Sequence, residues 1–148
     1  MTHQPDHSER ETDRQRRLRW RLRRSAQVFE TGVLEDLVAL HADDVDLLVA
    51  LGEAYSRLKR HRQGLEVDRE LVRRRPDEPA FRYNLACSLC LTGDLNGACG
   101  ALLEAIERGF RDFEHLLADE DLSRLRGDNR FGLVRDAMAG ASPSAPTT

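Results

Sequence analysis

Leu48-Val49-Ala50-Leu51-Gly52-Glu53-Ala54-Tyr55 decides the fold once it is set beside Arg82-Tyr83-Asn84-Leu85-Ala86-Cys87-Ser88-Leu89, 34 residues further on. In this register Leu51 falls on Leu85, Gly52 on Ala86, Gly64 on Ala98, Glu70 on Glu104, Leu71 on Ala105 and Val72 on Ile106. Small and apolar residues recurring at one period are what stacked helical units need. Gly52 and Ala86 let the first helix of each pair approach its partner closely, and Gly64 and Ala98 do the same from the other side. Behind them lie Leu51, Tyr55, Leu58, Leu71 and Val72, then Leu85, Leu89, Leu102 and Ile106, an apolar face that neither pair can bury alone. Pro76 cannot continue a helix and closes the first unit.

Outward from this centre the pattern weakens. Shifted backwards by 34, Leu71-Val72 falls on Leu37-Val38 and Pro76-Asp77 on Ala42-Asp43, but Leu51 lands on Arg17. The segment 14–42 therefore reads as one long helix, the second half of a unit whose first helix is missing or altered. Its Leu18, Leu22, Ala26, Phe29, Val33, Leu37 and Leu40 follow spacings of 4, 4, 3, 4, 4 and 3, which is one stripe of a helix. Gly32 is a candidate bend, and Asp43 and Asp44 are N-cap candidates for the next helix. Residues 113–139 leave the register and read as a helical cap in which Phe113, Leu116, Leu117, Leu122, Leu125, Phe131, Leu133 and Val134 cover the end of the second unit. The expected organisation is a helical domain over 14–139, with units at 45–78 and 79–112, between polar tails at 1–13 and 140–148 that are expected to be unstructured.

The pattern Leu48-x2-Leu51-Gly52-x2-Tyr55, Gly64-x3-Asp68, Pro76, followed by Arg82-x2-Leu85-Ala86-x2-Leu89, Gly93-Asp94, Ala98-x3-Leu102, resembles the tetratricopeptide repeat. Leu48 and Arg82 stand where that family most often has tryptophan, Asp68 where it has an aromatic, and Phe110 where it has proline. The resemblance implies an all-α superhelix of helix pairs. It also implies a protein–protein scaffold or adaptor whose concave groove, lined by the first helix of each pair, takes a protein or peptide partner. Carried onto this chain, the groove positions are Val49, Glu53, Ser56, Arg57, Tyr83, Cys87, Cys90 and Leu91. Some family members clamp the C-terminal carboxylate of heat-shock chaperones. Asn84 fits that clamp, but Val49 and Glu53 replace its lysine and asparagine, and Glu53 would repel a carboxylate.

The arginine run Arg14, Arg16, Arg17, Arg19, Arg21, Arg23 and Arg24, interleaved with Leu18, Trp20 and Leu22, carries the alternative: a module that holds RNA or another anionic surface. The plain alternative is a solvated helix face balanced by Asp6, Glu9, Glu11 and Asp13. The net charge of −3 argues against a chain directed as a whole at polyanions. Cys87-x2-Cys90 with Cys99 lacks a nearby histidine to complete a zinc set, and three cysteines read as free thiols in a reducing compartment, so the cytoplasm is expected. No metal, cofactor or membrane span is expected. No phosphate loop, nucleophile elbow or acid–base–nucleophile set occurs, so the chain is not expected to be an enzyme.

Overall fold

A computed structural model describes residues 7–141, with side chains from residue 12 onward. All the regular structure among them is helical: α1 (His7–Leu40), α2 (Val45–Arg57), α3 (His61–Arg74), α4 (Pro79–Thr92), α5 (Leu95–Glu107), α6 (Phe113–Ala118), a 3₁₀ turn (Glu120–Leu122), α7 (Ser123–Arg126) and α8 (Phe131–Ala141). Helices pack chiefly on their neighbours in the chain, from α1 on α2 through α4 on α5, and the cap closes on α4 and α5. The 34-residue period is present in the backbone: α2 starts at Val45 and α4 at Pro79, α3 at His61 and α5 at Leu95. The turns repeat as well. The N–H of Lys59 donates to the Ser56 carbonyl and that of Arg60 to Tyr55, while Gly93 donates to Cys90 and Asp94 to Leu89. Each turn passes through the left-handed region, at Gly93 (φ 97°) and at Lys59 (φ 56°). Glycine enters that region freely, whereas lysine carries a Cβ penalty.

The caps explain where the helices begin. Asp44 accepts from the N–H groups of Asp46 and Leu47, Asp94 from Gly97, and Asp112 from His115; Glu78 caps α4 with Pro79 at its first turn. Gly52 is a close contact of the expected kind, since a Cβ there would meet Val67 Cγ1 at 3.3 Å. Two clusters form the core. One joins Leu48, Leu51, Tyr55, Val67 and Leu71 with Leu34 and Val38 of α1; the other runs from Leu65 through α4 and α5 to the cap.

Three expectations need correction. The long helix starts at His7, ahead of residue 14, and ends at Leu40; the remaining tail positions, 1–6 and 142–148, lie outside the described residues. In the cap, Leu116, Leu122, Leu125, Phe131 and Val134 are buried as expected and Phe113 is half-buried, but Leu117 and Leu133 face solvent. Most consequential is α1. Its Leu18–Leu40 stripe lies on the side away from α2, with Phe29 and Leu40 each 76% exposed. The face that packs is the opposite one: Thr31, buried and donating to the Gln27 carbonyl, with Leu34, Glu35 and Val38. The period identified a stripe but not which side of the helix would find a partner.

Candidate partner-binding cleft

α2, the start of α3, α4 and the cap enclose a cleft of about 300 Å³. Gly52 and Gly64 lie in its wall; Gly52 is tight against Val67, whereas a Cβ at Gly64 would meet Tyr55 and Ser88 only at 3.9 and 4.0 Å, so the close approach expected there is not required. Val49, Glu53 and Ser56 of α2 and Tyr83, Cys87 and Leu91 of α4 line the cleft, as the sequence placed them. Arg57 does not: its guanidinium turns to α1 and pairs with Glu30 at 2.9 Å. Cys90 does not either, being 0% exposed in the core with Leu102, Leu116 and Leu125. One helical turn from Cys87, it falls on the α5 and cap side of α4, so the two thiols face different surroundings.

The cleft also holds groups outside the expected groove positions. Asp119, at the start of the 3₁₀ turn, is fixed at one end. The Tyr83 hydroxyl donates to its Oδ2 at 2.6 Å, the Cys87 thiol approaches the same oxygen at 3.7 Å, and His115 Nε2 lies at 3.5 Å. The Arg126 guanidinium holds the Asp119 carbonyl, and Oδ1 caps the turn through the Asp121 N–H. Tyr83 is clamped further by stacking on Phe110, with centroids 4.5 Å apart and planes 5° from parallel. Burial first, then the bond to Asp119, pushes the Tyr83 phenol well above its usual range; burial first, then the Asp119 charge, does the same to the Cys87 thiol. Both therefore keep their protons near neutrality, and Cys87 is a polar wall rather than a thiolate nucleophile.

Asp68 forms the floor. It is 8% exposed, and its Oδ2 accepts from the Ser88 hydroxyl at 2.5 Å. Burial pushes its carboxyl up from 3.8 to about 6, against a smaller opposing pull from Ser88. Asp121 shifts upward too, through burial and then its neighbour Asp119. One signal in the sequence could have located Asp68: the 34-residue register sets it on Leu102, which is fully buried, so a carboxylate occupies a core position. Asp119 and Asp121 gave no such signal, because the cap lies outside the register.

The resulting cleft is acidic. Glu53, Asp68, Asp119 and Asp121 face Arg60, His61 and His115, and Arg60 already lies 3.6 Å from Glu35 of α1. Among the described residues no group of His, Cys, Asp and Glu side chains is placed to hold a metal ion, and no helix is long and apolar enough to cross a membrane. All three cysteines are unpaired and buried. The arginines of the run stand apart from the cleft on an exposed stretch of α1, where Arg16 and Arg17 reach Asp13 at 3.9 and 2.9 Å. There the Arg24 guanidinium lies 5.6 Å from the ring centre of Trp20, which is 62% exposed. Compared with protein-family models and with curated proteins, the sequence matches none.

Proposed function

We propose that the chain is a tetratricopeptide-type adaptor that binds a short cationic segment of a partner protein in the cleft between α2, α4 and the cap. The recurrence of helix starts and turn hydrogen bonds at 34 residues supports the family reading. The observation that carries the function is the cleft's chemistry, four carboxylates set between apolar and sulfur-bearing walls. A lysine or arginine side chain satisfies that geometry: its stem lies along Val49 and Leu91 while its charge meets Asp119 and Asp68. A volume near 300 Å³ suits one or two side chains of an extended peptide, not a folded domain. The walls are held before binding, Tyr83 by Phe110 and Asp119 by its donors, so ordering on association is small. No catalytic role is assigned, since the Tyr83 and Cys87 protons are held more tightly than usual.

The test uses fluorescein-labelled decapeptides of equal length, one set basic and one acidic, titrated with the whole protein and read by anisotropy. Basic peptides should bind and acidic ones should not. Asp119→Asn should weaken binding about tenfold or more, in line with removal of one partner of a charge-assisted pair. Equal affinity of wild type and Asp119→Asn for every basic peptide would reject the cleft. A second reading, an anionic surface held by the arginine helix, draws on the exposed Trp20 among those arginines. Single-stranded RNA binding that falls steeply with salt and is lost when Arg16, Arg17, Arg19 and Arg21 become glutamine would support it instead.

A further inference from the structure

We propose that α1 is a dimerisation helix, pairing antiparallel with α1 of a second copy of this chain through its outward apolar stripe. The stripe opposes the face that docks on α2, so its partner must come from outside the fold described above. Leu18, Leu22, Phe29, Val33, Leu37 and Leu40 are all exposed along about 33 Å of helix, at 1.5 Å per residue. Scattered exposed apolar residues are ordinary, but six on one line of one helix form an interface pattern.

Two features select a second copy, in antiparallel orientation. The first is the near-symmetry of the stripe about Phe29. An antiparallel partner centred there sets Leu18 against Leu40, Leu22 against Leu37 and Ala26 against Val33, with Phe29 meeting its own counterpart at the twofold axis. Ala26 and Gly32 flank that ring, and a Cβ at Gly32 would have no atom within 4 Å, which leaves room for the partner's phenyl. The spacing of 4, 4 and 3 is an 11-residue repeat, at about 3.67 residues per turn near enough to the helical period that the line drifts only about 20° over each repeat.

The second feature is charge. Arg14–Arg24 carries seven arginines and no acid, while Gln27–Asp46 carries Glu30, Glu35, Asp36, Asp43, Asp44 and Asp46 and no lysine or arginine. Glu30, Glu35 and Asp43 already have arginine neighbours in Arg57, Arg60 and Arg74, yet Glu30 and Asp43 remain more than half exposed. A parallel pair would stack the arginine runs of both copies. An antiparallel pair lays each run along the end of the other α1 that carries Glu30, Glu35 and Asp36 and leads into the turn with Asp43 and Asp44, and Arg21, beside the stripe, then faces Asp36 on the same flank. The arginine run is on this account an electrostatic guide for orientation, independent of the peptide cleft.

Sedimentation equilibrium of the full chain should give twice the 16.8 kDa chain mass at about 100 µM. Phe29→Glu should return it to the chain mass with unchanged far-UV circular dichroism, since that side chain makes no core contact. Orientation is read by oxidative cross-linking. Leu18→Cys mixed with Leu40→Cys should form a disulfide-linked dimer, and so should Phe29→Cys alone, whereas Leu18→Cys alone should not. A wild-type monomer at that concentration, a dimer that survives Phe29→Glu, or efficient cross-linking of Leu18→Cys with itself would overturn the proposal.

Discussion

Replacing Asp68 with asparagine should stabilise the fold at neutral pH and leave it unchanged in acid. Asp68 is 8% exposed beneath the cleft, and burial lifts its carboxyl from 3.8 to about 6. A carboxyl whose folded pKa is raised weakens the fold only when ionised. Below 3.8 the penalty is absent; it grows as pH rises towards 6 and is constant above. At about 1.36 kcal/mol per tenfold change in proton affinity, that interval corresponds to about 3 kcal/mol at pH 7. Asparagine has nearly the same shape and can still accept from the Ser88 hydroxyl, so a gain of about 1–3 kcal/mol is expected. Asp121 is shifted in the same direction but is present in both proteins and cancels. Urea unfolding of wild type and Asp68→Asn, followed by far-UV circular dichroism from about pH 3.5 to about pH 7.5, measures the difference. The two curves should coincide at the acid end, separate through the interval and run parallel above it. A gap of equal size at every pH, or an asparagine variant less stable at pH 7, would refute the buried-charge argument. The same variant should bind a basic peptide less well, because the charge that weakens the fold is also part of the cleft's floor.

Gly52→Leu should destabilise by about 1–3 kcal/mol, because even a Cβ meets Val67 at 3.3 Å; an unchanged thermal midpoint would show that α2 and α3 are not held at that distance. Ala98→Leu, at a fully buried site, should have a cost of the same order in the same assay. Lys59→Gly should raise stability by about 0.5–1 kcal/mol in urea unfolding, by placing glycine at the left-handed position where Gly93 already stands in the next turn. Tyr83→Phe should lose about 1 kcal/mol, the hydroxyl bond to Asp119 vanishing while the stack on Phe110 is kept, with the loss seen as a lower urea midpoint at constant slope.

What the sequence revealed depended on whether a residue answers to its own helix or to another element. The close contact at Gly52 and the start of α2 at Asp44 follow from local chemistry and were legible, whereas the start of the long helix at His7 was not, because its polar first turns carry no apolar period. Six of the eight expected groove positions line one cleft, since a period of 3.6 fixes which α2 and α4 side chains share a face. Cys90 sits one turn beyond Cys87, at the border between the cleft side and the side covered by the cap. Arg57 left the groove because α1 offered it Glu30, a contact across 27 positions that no local pattern encodes.

The acids of the cleft mark the limit most clearly. Asp119 is a turn residue by every local criterion, and it becomes part of the site only because the cap folds back over α4 and sets it against Tyr83, 36 positions earlier. Asp68 is different: it breaks the repeat at a core position, and that break is visible in the sequence alone. A buried carboxylate that weakens the fold, left with one hydroxyl for company where the next unit has leucine, calls for a reason beyond packing. The α1 stripe poses the converse problem, an apolar line placed where nothing in the fold covers it. The ionised Asp68 weakens the fold and the stripe leaves apolar surface in water, and a cation in the cleft and a second helix on the stripe would each offset one of these departures from the pattern, as the two proposals require.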